Sequence, residues 1–171
     1  MKMILSMALV TLLAGTMFAD EAAKVAIKME LPPPVSAGTP KEIRSANLEP
    51  DPGVNKLRPP ILVAPDHTNL LSRECKVLVS AEAVSGDNDY VVDGDKTRDV
   101  TAMLQLPAGL QWVQVDLGAE HEISACCVWH DHGDDRVYHD VVCRISNDSH
   151  FIDGVQTVFN NDHDNSAKLG K

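Results

Sequence analysis

The 171-residue sequence predicts an all-β chain, on three observations. Apolar and polar residues alternate through Gln111-Trp112-Val113-Gln114-Val115-Asp116 before the exit Leu117-Gly118, as in a half-buried strand. Short β-rich runs recur from about Asn69 onward, each broken by turn residues such as Gly, Asp, Asn and Ser. No stretch of that region keeps a helical apolar period, so helix is expected only as short turns. Strands are expected near residues 75–81, 90–92, 112–116, 123–129, 141–146 and 155–159, with 112–116 and 123–129 as consecutive antiparallel neighbours. Their spacing suits an antiparallel β-sandwich or jelly roll.

Ahead of that region lie two other textures. Met1-Lys2 gives a short positive start, and residues 4–14 form an apolar run of 11 containing only Ser6 and Thr11 as polar members. With small residues after it, this reads as a secretory signal peptide over residues 1–19, cut after Ala19. The run is too short for a membrane span of about 20 apolar residues. Thr16 stands where a lipoprotein box would need cysteine, so the expected product is soluble and exported, with no transmembrane span. Residues 20–67 read as a Pro-rich extended linker, because nine of the ten prolines fall within residues 28–66 and proline removes backbone donors. This linker is expected as a spacer or a strap on the domain, with Ile61-Leu62-Val63-Ala64 packing as an edge.

A formal charge of -10 argues against nucleic acid and against anionic lipid as partners. Much of the acid is aspartate grouped in loops: Asp87, Asp89, Asp93, Asp95 and Asp99; Asp131, Asp134, Asp135 and Asp140; Asp162 and Asp164. Solvated loops are the plain reading, and oxygen-liganded cations such as calcium the sharper one. Export permits disulfides. The four cysteines, Cys75, Cys126, Cys127 and Cys143, allow three pairings that the sequence leaves open. Apolar alternation turns Cys126 with Val128 and Cys143 with Ile145 inward, as a bridge or as two buried thiols.

Several stretches, in order, resemble the discoidin or coagulation factor type C domain, a galactose-binding-like jelly roll. Val91-Val92-Asp93-Gly94-Asp95-Lys96-Thr97 is similar to the family's D-G-[DN]-x-x-T turn. Trp112-Val113-Gln114-Val115-Asp116-Leu117-Gly118 matches W-x-Q-V-D-L-G, the most specific piece. Ile123, Cys126 and Val128 fit I-x-x-V-x-V, and Val141 to Asp148 resembles the V-x-V-S-x-D strand and turn. A bacterial secreted subgroup with V-W-H-x-H and F-N-N-D-H-D-N-S is also similar. The resemblance implies a discoidin-like β-sandwich over residues 68–171. It implies too that the closing Y-[IV]-R and E-x-E-V-x-G strands are missing, as in a truncated domain. A structural calcium ion is implied at Asp93, Asp95 and Thr97, although Thr97 arrives one residue early and the family's glutamate is absent.

Candidate ligand-binding residues lie in the loop from Trp129 to Asp140, with His163 added from a second polar loop. Jelly rolls place ligand sites in such loops on a rigid scaffold. His130, His132, Arg136 and Tyr138 there are suited to bond with and stack on a sugar, with Trp129 as a further aromatic platform. His130 and His132, joined by His139 or His163, would instead suit a metal. The Asn/Asp run at residues 160–165 reads as tight turns bonding their own backbone. No G-x-S-x-G, H-E-x-x-H, P-loop or G-x-G-x-x-G is present, so no catalytic residue is assigned. The leading expectation is a non-catalytic exported module binding a glycan or another extracellular ligand. One alternative is a structural or protein–protein module at the cell surface, tethered by the proline stretch; another is a metal-dependent enzyme using His130, His132 and His163.

Overall fold

The computed structural model describes residues 23–28, 42, 44, 46–47, 62–97, 99–131 and 138–170. The signal segment, most of the proline-bearing stretch, and His132 and Arg136 lie outside them. The described chain is β-rich and largely non-helical, built from three two-stranded antiparallel ribbons. Among these residues no helix is long and apolar enough to cross a membrane.

The first ribbon joins β1 (Lys24–Ala26) to β2 (Val63–Pro65), with Val25 opposite Ala64. Ile27 N–H donates to the Leu62 carbonyl at 2.8 Å, and Asp66 N–H to that of Ala23 at 3.2 Å. Pro65 occupies the strand's last position, where its missing N–H costs least. The residues around Val63 therefore pair with the start of the same segment, and Ala64 is buried.

The second ribbon pairs β3 (Lys76–Val79) with β4 (Val113–Asp116). Val77 faces Val115, Val79 faces Val113, and Lys76 faces Asp116 as an opposite-charge cross-strand pair. Burial of Val77, 6% exposed, contributes about 1.5–3 kcal/mol. Ser80 extends the ribbon: its N–H donates to the Trp112 carbonyl and its Oγ accepts from Trp112 N–H, both at 3.0 Å. Trp112 itself is 53% exposed at the ribbon's end, outside any core.

The third ribbon pairs β5 (Val142–Ile145) with β6 (Gln156–Asn160). Cys143 faces Phe159 and Arg144 faces Thr157, which leaves Val158 as the extra residue of a bulge. The β5–β6 turn is held by Asp148, whose carboxylate accepts from the N–H groups of His150, Ile152 and Asp153. Those donors lower its pKa. Gln114 Nε2 reaches across from β4 to the Ser149 carbonyl at 3.1 Å, a link between the second and third ribbons. Two-stranded ribbons are marginal alone, so such links carry weight.

Two expected strands are absent. Around Tyr90 the chain forms a 3₁₀ turn (Asn88–Val91), because Asp87 accepts from Asp89 N–H and its carbonyl from Tyr90 N–H. Short polar side chains there offer the backbone a local partner in place of a ladder. Val92, just beyond, is nevertheless buried. Residues 120–131 are irregular: β4 pairs with β3, not with residues 123–129, and strand propensity without a partner makes no strand. Accordingly Cys126 and Val128 do not face inward; both are exposed. The buried apolar residues among those described are Ala64, Val77 and Val92. Asn47, Asn161 and Asp162 are buried as deeply.

Candidate ligand-binding loops

The irregular stretch ends at Trp129, His130 and Asp131, and the chain re-enters description at Tyr138, ahead of β5. The His130 and Tyr138 rings stack with centroids 4.1 Å apart and planes inclined by 8°. Partial burial of the imidazole lowers its pKa, favouring the neutral ring. Trp129 is 42% exposed and Tyr138 37%. Lys96, from the turn after Asp93-Gly94-Asp95, places its Nζ 5.8 Å from the Trp129 ring centroid, a cation–π distance. Two loops remote in sequence thus meet at an indole.

The turn carrying Lys96 is organised by its own acids. Asp93 accepts from Asp95 N–H and Asp95 from Thr97 N–H, each at 2.7 Å. The Thr97 donors lower the Asp95 pKa. Gly94 has φ of 79°, which favours glycine, whereas the Arg73 guanidinium that a Cβ would meet is the end of a flexible side chain and could swing aside. Asp93, Asp95 and Thr97 are thus neighbours in one turn, and each carboxylate has an oxygen engaged with a backbone N–H.

A second polar centre lies beyond Tyr138. Carboxylate oxygens of Asp140, Asp162 and Asp164 all fall within 4.8 Å of one another, and this set could hold a metal ion. The Asn47 amide sits among them, its Nδ2 donating to Asp140 at 2.5 Å, Asp164 at 3.0 Å and Asp162 at 3.5 Å. Its orientation is fixed from the other side, where Oδ1 accepts from His163 N–H at 2.9 Å. Asp162, 1% exposed, also accepts from the Ser166 N–H and hydroxyl and from Ala167 N–H. Asn47 first, then Ser166, holds the Asp164 carboxyl down to about 2. Asp140 adopts φ of 58° and is bonded to His139 Nδ1, an uncommon backbone state that Asp tolerates better than most residues. The Asn/Asp run largely bonds its own backbone as tight turns do, Asn160 accepting from Asp162 N–H and Asn165 from Gly170 N–H, while Asn161 reaches instead across to Val141 N–H.

Of the expected ligand residues, the structure brings Trp129, His130 and Tyr138 to one pair of loops, while His163 belongs to the Asn47 centre. The metal-capable group among the described residues contains no histidine. Sequence reasoning missed Lys96 as a partner of Trp129, and Asn47 altogether. A single Asn within a proline-rich stretch carries no pattern that would single it out.

No protein-family model, no curated protein and no solved structure matches the chain.

Proposed function

We propose that this protein is an exported, non-catalytic recognition module of discoidin type that binds a glycan through the loops bearing Lys96, Trp129, His130 and Tyr138. The observation that carries the reading is the exposed indole of Trp129 beside Lys96, next in sequence to the His130–Tyr138 stack. Flat amphipathic rings with a nearby donor suit a sugar, which offers C–H faces to rings and hydroxyls to polar tips. The test is a glycan array with the full chain, followed by titration of Trp129→Ala and Tyr138→Ala against the best ligand. Loss of binding in both variants supports the reading; an array without binders, or unchanged affinity in Trp129→Ala, removes it.

The calcium ion that the Asp-Gly-Asp resemblance implies belongs to the same proposal. Its candidate places are the Asp93–Asp95–Thr97 turn and the Asp140, Asp162 and Asp164 group. Calorimetric titration of the full chain, of Asp95→Asn and of Asp162→Asn with calcium tells the two apart, and absence of heat in the full chain drops the ion. A protein partner is the second reading, favoured by the exposure of Leu110 (66%), Trp112 (53%) and Val113 (43%) along the start of β4. Capture that survives Trp129→Ala and fails in Trp112→Ala would select it.

A further inference from the structure

One pair of side chains plays no part in the ligand loops or the polar centre. Cys126, exposed in the irregular segment, and Cys143, half-buried on β5, place their Sγ atoms 3.6 Å apart. Neither is in a disulfide, and nor is Cys75. Cys75 bonds instead to the Leu71 carbonyl at 3.1 Å.

We propose that Cys126 and Cys143 are a disulfide-forming pair, closed by thiol–disulfide exchange with a small-molecule or protein disulfide, that pins residues 120–131 to β5. The backbone arrangement supports closure. Moving from contact to a bond of about 2.05 Å needs an approach of roughly 1.5 Å. Cys143 is held in the β5–β6 ladder, while Cys126 sits in a segment with no ladder of its own and is free to supply that movement. The electrostatics favour the same pair. The neighbouring Cys126 thiol holds the Cys143 thiol down to about 7 by donating to its thiolate, and Cys126 itself is pushed up. Near neutral pH Cys143 is therefore the readier of the two to ionise.

The Cys143 thiolate attacks one sulfur of the oxidising disulfide, whose other sulfur leaves as a thiolate. Cys126 then loses its proton to solvent and attacks Sγ of Cys143, releasing the second thiolate of the oxidant. In sum, two cysteine thiols become one disulfide, and the oxidant takes both electrons and both protons to become two thiols. The bond would fix the chain three residues ahead of Trp129.

The test uses the full chain, purified reduced, treated with excess glutathione disulfide, then alkylated and mapped by mass spectrometry. The expected product is a peptide linking the Cys126-Cys127 segment to Cys143, with Cys75 alkylated. Cys127→Ser keeps that link, whereas Cys126→Ser loses it and retains glutathione on Cys143. A link that survives Cys126→Ser, a scrambled set involving Cys75, or four alkylated thiols in the treated full chain overturns the proposal.

Discussion

Residues 161–170 and residues 120–131 solve the same problem, a backbone outside regular sheet, in opposite ways. The first stretch is Asn/Asp-rich, and its side chains supply acceptors to its own N–H groups at 2.8–3.0 Å. It contains Asp162, the deepest buried side chain among those described. The second stretch carries β-forming apolar residues, but no paired strand meets it, and Ile123, Val128 and Trp129 remain exposed at 36%, 60% and 42%. Polar turn chemistry is self-sufficient because donor and acceptor lie within a few residues. Strand chemistry needs a neighbour from elsewhere in the chain.

If that contrast is sound, substitutions in the two stretches should differ sharply. Asp162→Ala removes the acceptor for Ser166 and Ala167 and a partner of Asn47, all in a buried place. Thermal or urea denaturation should show a loss of about 2–4 kcal/mol, and a change under about 0.5 kcal/mol would break the comparison. Asn47→Ala takes away the donor shared by three carboxylates and leaves like charges facing one another. A loss of about 1–3 kcal/mol is expected, together with faster proteolysis of the stretch around residue 47.

Acid should act on the same centre. The Asp164 carboxyl titrates at about 2 when folded against an ordinary 3.8, so its stabilising contribution is complete above pH 3.8 and fades as pH falls towards 2. Asp95, Asp99 and Asp148, also lowered by N–H donors, add losses of the same sign. Denaturation midpoints measured from pH 5 down to pH 2 should fall monotonically, with a shallower slope in Asp164→Asn. The smallest effect belongs to the other stretch. Val128→Ser, at a side chain 60% exposed, should shift stability by less than about 0.5 kcal/mol by the same denaturation.

The same contrast explains what the sequence made legible. The β4 strand was readable because alternation is a local signal, and its apolar face does meet β3 through Val77 and Val115. The turns at Asp93-Gly94-Asp95 and Asn160 to Asn165 were readable because Asn, Asp and Gly act over two to five residues. The failures came from a missing ladder, a local cap and long-range partners. A strand at residues 123–129 had the right residues and no ladder, and near Tyr90 a cap from Asp87 outweighed β propensity. The Asn47 centre joins residues separated by 93 to 117 positions, which no local pattern reports. Trp129, His130 and Tyr138 were identifiable as aromatic loop residues, but the stack and the Lys96 contact are properties of three dimensions.

The β1–β2 ribbon bears on how far this molecule can reach. An extended proline-rich stretch of the length between Ile27 and Leu62 would span on the order of 100 Å. Here its two ends are clasped by the β1–β2 ladder, with the Ile27–Leu62 hydrogen bond at 2.8 Å nearest the stretch. Whatever path the intervening residues take, they add no distance between the chain before Lys24 and the chain after Pro65. The backbone at Ala23 therefore lies within a strand's width, about 5 Å, of that at Asp66, where the β-rich region begins. The same stretch is tied a second time, at Asn47, to Asp140, Asp162 and Asp164, so its anchorage is shared between the β1–β2 ribbon and the polar centre.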